Sequence, residues 1–178
     1  MQEINLLPPE IINEIAAGEV IERPVAVVKE LIENSIDAKA SKIIISIEEG
    51  GISKIVVSDN GIGIERKYIE TSVGRHTTSK LNMRTLNNII TLGFRGEALH
   101  SISNASEFTM ISRTKDSTEA YELKVIYGKP LIIKPSKGNE GTHIKVENLF
   151  KNLPVRKKFL KSENVEITLL CLPIFNDF

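Results

Sequence analysis

Val27-Val28-Lys29-Glu30-Leu31-Ile32-Glu33-Asn34-Ser35-Ile36-Asp37-Ala38 carries two patterns at once. Val27, Val28, Leu31, Ile32 and Ser35 recur at the spacing of one helical face, and Pro24 stands where a first turn accepts proline. The spacing therefore predicts a helix from Pro24 to between Ala38 and Ala40. Beside that apolar stripe, Glu30 and Asn34 are four residues apart, one turn above the other. Two runs rich in β-branched residues follow, 43–47 and 54–58, with Glu49-Gly50-Gly51 between them as a hairpin turn. The second run leads straight into Asp59-Asn60-Gly61-Ile62-Gly63.

Upstream, Pro8 and Pro9 precede Ile11, Ile12, Ile15 and Ala16, which predicts a short helix that breaks at Gly18. Downstream, a polar segment runs from Gly74 to Gly96, with a short helix expected over 86–90 and another over 97–103. Strand-like segments then alternate over 108–113, 121–127, 131–134 and 142–146, and a short basic helix is expected over 156–160. Helices first and antiparallel strands afterwards suggest an α+β fold, a two-layer α/β sandwich. The regular strand-helix alternation of a doubly wound parallel sheet is missing.

The length, 178 residues, fits one domain that buries roughly 70% of its unfolded surface. With 41% hydrophobic and 26% charged residues the composition is that of an ordinary globular protein, which excludes disorder as the main description. Cys171 has no partner in the chain, so a disulfide scaffold is excluded. The apolar run 169–175 is short and interrupted by Pro173, and the N-terminus has no basic stretch leading into an apolar core. No membrane association and a cytoplasmic location are expected. Formal net charge is zero, yet Lys129 to Lys161 holds nine Lys or Arg and only Glu140 and Glu147 as acids, a local balance of +7. Such a segment either meets the phosphates of a nucleic acid or is a solvated surface with its counter-charges folded beside it.

Four motifs have chemical content. A carboxylate at Glu30, at the edge of the core, suits general-base activation of water, and the amide oxygen of Asn34 suits a hard cation such as Mg2+. A surface pairing of Glu30 with Lys29 or Arg23 is the plainer alternative. In the second motif, Gly61 and Gly63 let the backbone approach a flat ligand, and Asp59 can accept from an exocyclic amine such as that of adenine. An ordinary Asx turn explains the same residues. The third, Leu92-Gly93-Phe94-Arg95-Gly96-Glu97-Ala98-Leu99, opens a helix with Gly-x-x-Gly, and Thr77, Thr78, Ser79 and Lys80 supply hydroxyls and a cation upstream. That combination suits phosphate, or is a solvated loop. The fourth is Gly141-Thr142-His143 entering a strand, where Thr142 can reach a base edge or be an ordinary strand threonine. His76, His100 and His143 have no metal-ligand spacing and read as structural or surface residues.

In this order, Glu-x-x-x-Asn, Asp-x-Gly-x-Gly, a glycine-bounded lid and Gly-Thr resemble the GHKL ATPases: type II topoisomerases, a heat-shock chaperone family, sensor histidine kinases and MutL mismatch-repair proteins. The finer resemblance is to the MutL family. It lies in residues 15–24, in 29–31 with 33–38, in 93–99 and in 152–160, and it covers about residues 4 to 163. The resemblance implies a Bergerat-type fold, a mainly antiparallel mixed sheet with helices on one face and ATP between the helices and a lid at about 74–100. It implies Glu30 as general base, Asn34 as the Mg2+ ligand, and a nucleotide contact at Ala38. It implies Asp59 on the adenine amine, with Gly61 and Gly63 giving close approach and Thr142 assisting. It implies Thr78, Ser79, Gly93, Phe94, Arg95, Gly96, Glu97, Ala98 and Leu99 around the phosphates. ATP-driven dimerisation, weak nonspecific contact of Lys129 to Lys161 with DNA, and mismatch-repair partners such as MutS are implied with it.

Residues 1–163 are then the ATP-binding domain, and 164–178 a divergent tail. MutL-like ATPase regions continue into a second domain that supplies a lysine to the γ-phosphate, and the tail does not resemble the helix expected there. The expectation is a truncated or frame-shifted product, or a cloned fragment. Loss of that lysine would remove on the order of 3–4 kcal/mol of transition-state stabilisation, so slow or lost Mg2+-dependent hydrolysis is expected. The competing expectation is a non-enzymatic remnant or nonspecific DNA-binding fragment.

Overall fold

The computed structural model describes residues 21–75, 77, 96–160 and 166. The helices expected over 11–16 and 86–90, most of the lid segment, and the tail except Glu166 lie outside the described residues.

Helix α1 spans Pro24–Asp37, with Pro24 in its first turn. Its buried side chains are Pro24, Val27, Val28, Leu31, Ile32 and Ser35, the face expected from the spacing. The chain then forms β1 (Ile43–Glu48), a 3-10 turn over Glu49–Gly51, and β2 (Lys54–Asp59). A four-residue helix α2 (Arg66–Ile69) and a 3-10 turn (Thr71–Val73) follow, neither of which has a sequence pattern long enough to announce it. Helix α3 (Ala98–Ala105) precedes β3 (Glu107–Arg113), β4 (Ala120–Ile126), β5 (Lys129–Ser136) and β6 (Gly141–Glu147), and α4 (Pro154–Lys158) follows β6.

The strands form one six-stranded sheet in the order β1-β2-β6-β3-β4-β5, and each described pair is antiparallel. Strand alternation sends Ile55, Val57, Phe108, Met110, Leu123, Val125, Ile144 and Val146 into one face, where α1 packs on β2 and α3 on β3 and β4. Each fully buried aliphatic or aromatic side chain there contributes about 1.5–3 kcal/mol. The expected two-layer α+β architecture with helices on one face is the one observed.

Two ranges differ from expectation for local reasons. Strand β5 extends beyond 131–134 because Pro130 and Pro135 are tolerated on a sheet edge, where a missing N–H costs no ladder bond. Helix α4 begins at Pro154, two residues before the expected start, because proline is favoured in a first turn.

Candidate functional site

One row of residues crosses the sheet at the end of β2. Asp59 pairs with Ile43 on one side and Thr142 on the other, Thr142 pairs with Ser112, and Ser112 with Tyr121. Asp59, Thr142 and Ser112 share the helix-facing side, in phase with Val57, Ile144 and Met110.

Hydrogen bonds tie this row together. Asp59 Oδ1 accepts the Gly61 N–H at 2.9 Å and the Thr142 N–H at 3.2 Å. Asp59 Oδ2 accepts from the Ser35 hydroxyl at 3.0 Å, but that hydroxyl also lies 3.0 Å from the Leu31 carbonyl of its own helix. One proton is thus shared between two acceptors, which leaves Oδ2 with acceptor capacity for a further donor. Ser112 Oγ accepts the Ile64 N–H at 2.9 Å and contacts the Gly141 carbonyl and Thr142 Oγ1, each at 3.0 Å.

The loop after Asp59 has no room for a side chain at Gly61 or Gly63. A Cβ on Gly61 would stand 2.7 Å from the Ala38 carbonyl oxygen and 2.8 Å from Ala38 Cβ. At Gly63, φ is +69° and a Cβ would collide with the Arg113 carbonyl oxygen, so glycine is required on both counts. The Ile62 N–H donates to Ala38 O at 2.9 Å. Asn60 holds the other side: its Oδ1 accepts from Ser41 N–H at 2.9 Å and Lys42 N–H at 2.8 Å, and its Nδ2 donates to Ser41 Oγ. The end of α1 and the start of β1 are thereby locked against the Asp59 loop.

Glu30, Asn34 and Ala38 lie four residues apart in succession, so they form a second stripe along α1 that ends beside Gly61, about 12 Å in length. Glu30 and Asn34 are partly buried. The structure thus brings Asp59, Gly61, Ala38 and Thr142 into contact and sets Gly63, Asn34 and Glu30 on the elements that carry them. Gly96, Glu97, Ala98 and Leu99 form the entry to α3, with Gly96 at φ +64°. Thr78, Ser79, Gly93, Phe94 and Arg95 lie outside the described residues.

Ser35, Asn60 and Ser112 are site residues that the motifs did not single out for a role. Ser112 had a signal: it is the next in-phase position of the buried alternation Phe108, Met110, and it is polar. His143 Nδ1 lies 2.7 Å from Ser58 Oγ, and burial together with neighbouring Lys145 lowers its pKa below 6.5. His100 Nδ1 contacts the Val73 carbonyl at 3.0 Å.

The basic segment does not form one patch. Lys134 pairs with Glu122 at 3.1 Å and Lys145 with Glu147 at 2.8 Å. Lys137 follows β5 at the Asp59 end of the sheet, whereas Lys129 and the chain leading to α4 lie at the opposite end.

The model of the family described as histidine kinase-, DNA gyrase B- and HSP90-like ATPase matches residues 22–135. The DNA mismatch repair protein MutL of Mannheimia succiniciproducens is 49% identical over 166 residues, 92% of this chain and 26% of that protein. The MutL of Haemophilus influenzae (strain Rd) is 48% identical over 168 residues, 93% of this chain and 27% of its own. The chain therefore spans about a quarter of the length of these relatives. Among solved structures, the Aquifex aeolicus MutL ATPase domain complexed with ADP matches with a TM-score of 0.69 and 39% identity, covering 85% of this chain and 52% of that one. The N-terminal domain of a DNA repair protein matches with a TM-score of 0.74 and 35% identity over 89% of this chain and 46% of that one. No helix among the described residues is long and apolar enough to cross a membrane. The chain belongs to the histidine kinase-, DNA gyrase B- and HSP90-like (GHKL) ATPase family and is homologous to the ATPase domain of bacterial MutL.

Proposed function

We propose that the Asp59 end of the sheet holds the adenine of ATP and that the chain works as the ATP-driven conformational switch of a mismatch-repair protein. The observation that carries this reading is the acceptor capacity left on Asp59 Oδ2, set beside the tightly packed loop of Gly61 and Gly63. An exocyclic amine supplies the missing donor. The solved relative with ADP bound supports a nucleotide as the ligand.

In this reading residues 1–163 are the ATP-binding unit. Glu30 activates a water as general base, and the carboxamide oxygen of Asn34, one turn away on the same helix, holds Mg2+. A lone amide oxygen fits a cation that keeps most of its waters and takes further oxygens from phosphates. When bound, Mg2+ offsets the negative charge that gathers on the phosphate oxygens. Thr78, Ser79 and residues 93–99 wrap the phosphates. Lid closure then favours pairing of two copies and contact with repair partners such as MutS.

Substitution Glu30→Ala tests the assignment. Hydrolysis is expected to fall to background while equilibrium nucleotide binding stays within about two-fold of the parent. Hydrolysis at the parent rate would remove Glu30 from the role.

A second activity, nonspecific DNA contact, is favoured by the placement of Lys151, Arg156, Lys157 and Lys158 around α4, none of which forms an ion pair among the described residues. Steep loss of DNA binding with rising salt is expected, and a flat response would count against it.

A further inference from the structure

Ser112 takes no part in the reading above, yet the direction of its one proton decides what Thr142 offers a ligand. The side chain is 2% exposed, and its Oγ lies near three groups: the Ile64 N–H at 2.9 Å, the Gly141 carbonyl at 3.0 Å and Thr142 Oγ1 at 3.0 Å. A hydroxyl has one proton to give and two lone pairs to fill. The Ile64 N–H can only donate and the Gly141 carbonyl can only accept. The Ser112 proton therefore goes to Gly141, one lone pair takes Ile64, and the other takes the Thr142 proton. The reverse assignment would set the Ser112 and Gly141 oxygens 3.0 Å apart with no proton between them in a buried place.

We infer that Ser112 is a positioning residue that turns the Thr142 hydroxyl proton inward, so that Thr142 and Asp59 offer a ligand only acceptors and select a base with an exocyclic amine over one with a carbonyl there. This rests on the nucleotide reading and deepens it. The neighbouring donors are already engaged within the protein: Gly61 and Thr142 N–H on Asp59, Ile62 N–H on Ala38, and Ile64 N–H on Ser112. With Ser112 drawing the Thr142 proton inward, a carbonyl at the same position meets the oxygen lone pairs of Asp59 and Thr142. A site built on paired polar groups rejects such an analogue far better than an apolar pocket does.

The test compares equilibrium binding of ATP and inosine triphosphate, which carries a carbonyl where ATP has its amine, to the 178-residue chain and to Ser112→Ala. The parent is expected to prefer ATP by roughly ten-fold or more. In Ser112→Ala the freed Thr142 hydroxyl can turn and donate, so the preference should shrink about five-fold, mainly through tighter binding of inosine triphosphate. On a Thr142→Val background, Ser112→Ala should leave the ratio unchanged. If Ser112→Ala weakens both nucleotides equally and keeps the ratio, Ser112 is only structural and the inference is overturned. Equal binding of both nucleotides by the parent overturns it as well, with the nucleotide site left standing. A parent that binds neither nucleotide overturns the site reading itself and this inference with it. Should Ser112→Ala fail to fold, Ser112→Cys keeps the volume with a poor acceptor, and an unchanged ratio there is equally contrary.

Discussion

At one end of the six-stranded sheet, Asp59, Thr142 and Ser112 stand in adjacent strands and satisfy one another, with Ser35 of α1 and Ile64 of the loop drawn in. At the other end, the Gly128 and Phe150 N–H groups bond the Ser103 and Ala105 carbonyls of α3, and Asn152 Nδ2 reaches the Asn104 carbonyl. Beyond that anchor, Lys151, Arg156, Lys157 and Lys158 extend with the exposed side chains of Val155 and Phe159. Strands of six or seven residues separate the two ends by about 20 Å. The first end is a closed hydrogen-bond circuit with residual capacity at one oxygen, so each change in it propagates. The second is a set of separate cations whose effects should add and fade with salt.

The largest effect should come from adding a single carbon to the first end. Gly63→Ala sets a Cβ against the Arg113 carbonyl at a positive φ, and should cost about 3 kcal/mol in denaturant unfolding and abolish nucleotide binding. An unchanged midpoint would show that the loop relaxes, and the close approach would lose its meaning. Next, Ser35→Ala removes the proton shared between Leu31 and Asp59, and should alter nucleotide affinity by a factor of about five while DNA binding stays the same. An equal effect on both ligands would erase the distinction between the ends.

At the second end, replacing Arg156, Lys157 and Lys158 together by Ala should lower the slope of DNA affinity against salt by roughly 2–3, with nucleotide binding untouched. A slope that does not move would place the DNA contacts elsewhere.

The smallest effect concerns pH. Burial and Lys145 lower the His143 pKa, so the unfolded chain binds the proton more readily than the folded one. Stability from this group is present above about 6.5 and is lost as pH falls through the lower folded value. His143→Asn should flatten thermal stability between pH 7 and 5, and an unchanged pH profile would mean another group carries it.

Much of this comparison was legible before any coordinates. The period of 3.6 in Val27, Val28, Leu31, Ile32 and Ser35, and the β-branched runs on either side of Glu49-Gly50-Gly51, placed α1, β1 and β2 correctly. Asp59, Gly61 and Thr142 were named from an order of motifs that resembles the GHKL ATPases, and the fold brings the three together. Ser112 was not, because its role depends on cross-strand register, which brings residues 59, 142 and 112 into one row and leaves no mark on local spacing. The basic segment read as one stretch, but β5 carries it from one end of the sheet to the other and β6 brings it back, which divides its cations between the two ends. Helix α2 was unread since four residues are too few for a period to show.

The central claim is that the Asp59 end of the sheet is an adenine-nucleotide site. Equilibrium binding of a non-hydrolysable ATP analogue to the purified chain, with and without Mg2+, tests it most directly, with Asp59→Asn as the paired variant. Asn keeps the shape but turns an acceptor into a donor. Magnesium-dependent binding that falls about a hundred-fold or more in Asp59→Asn is the predicted result. A folded chain that binds no analogue, or binds it equally well with Asn at position 59, would contradict the account.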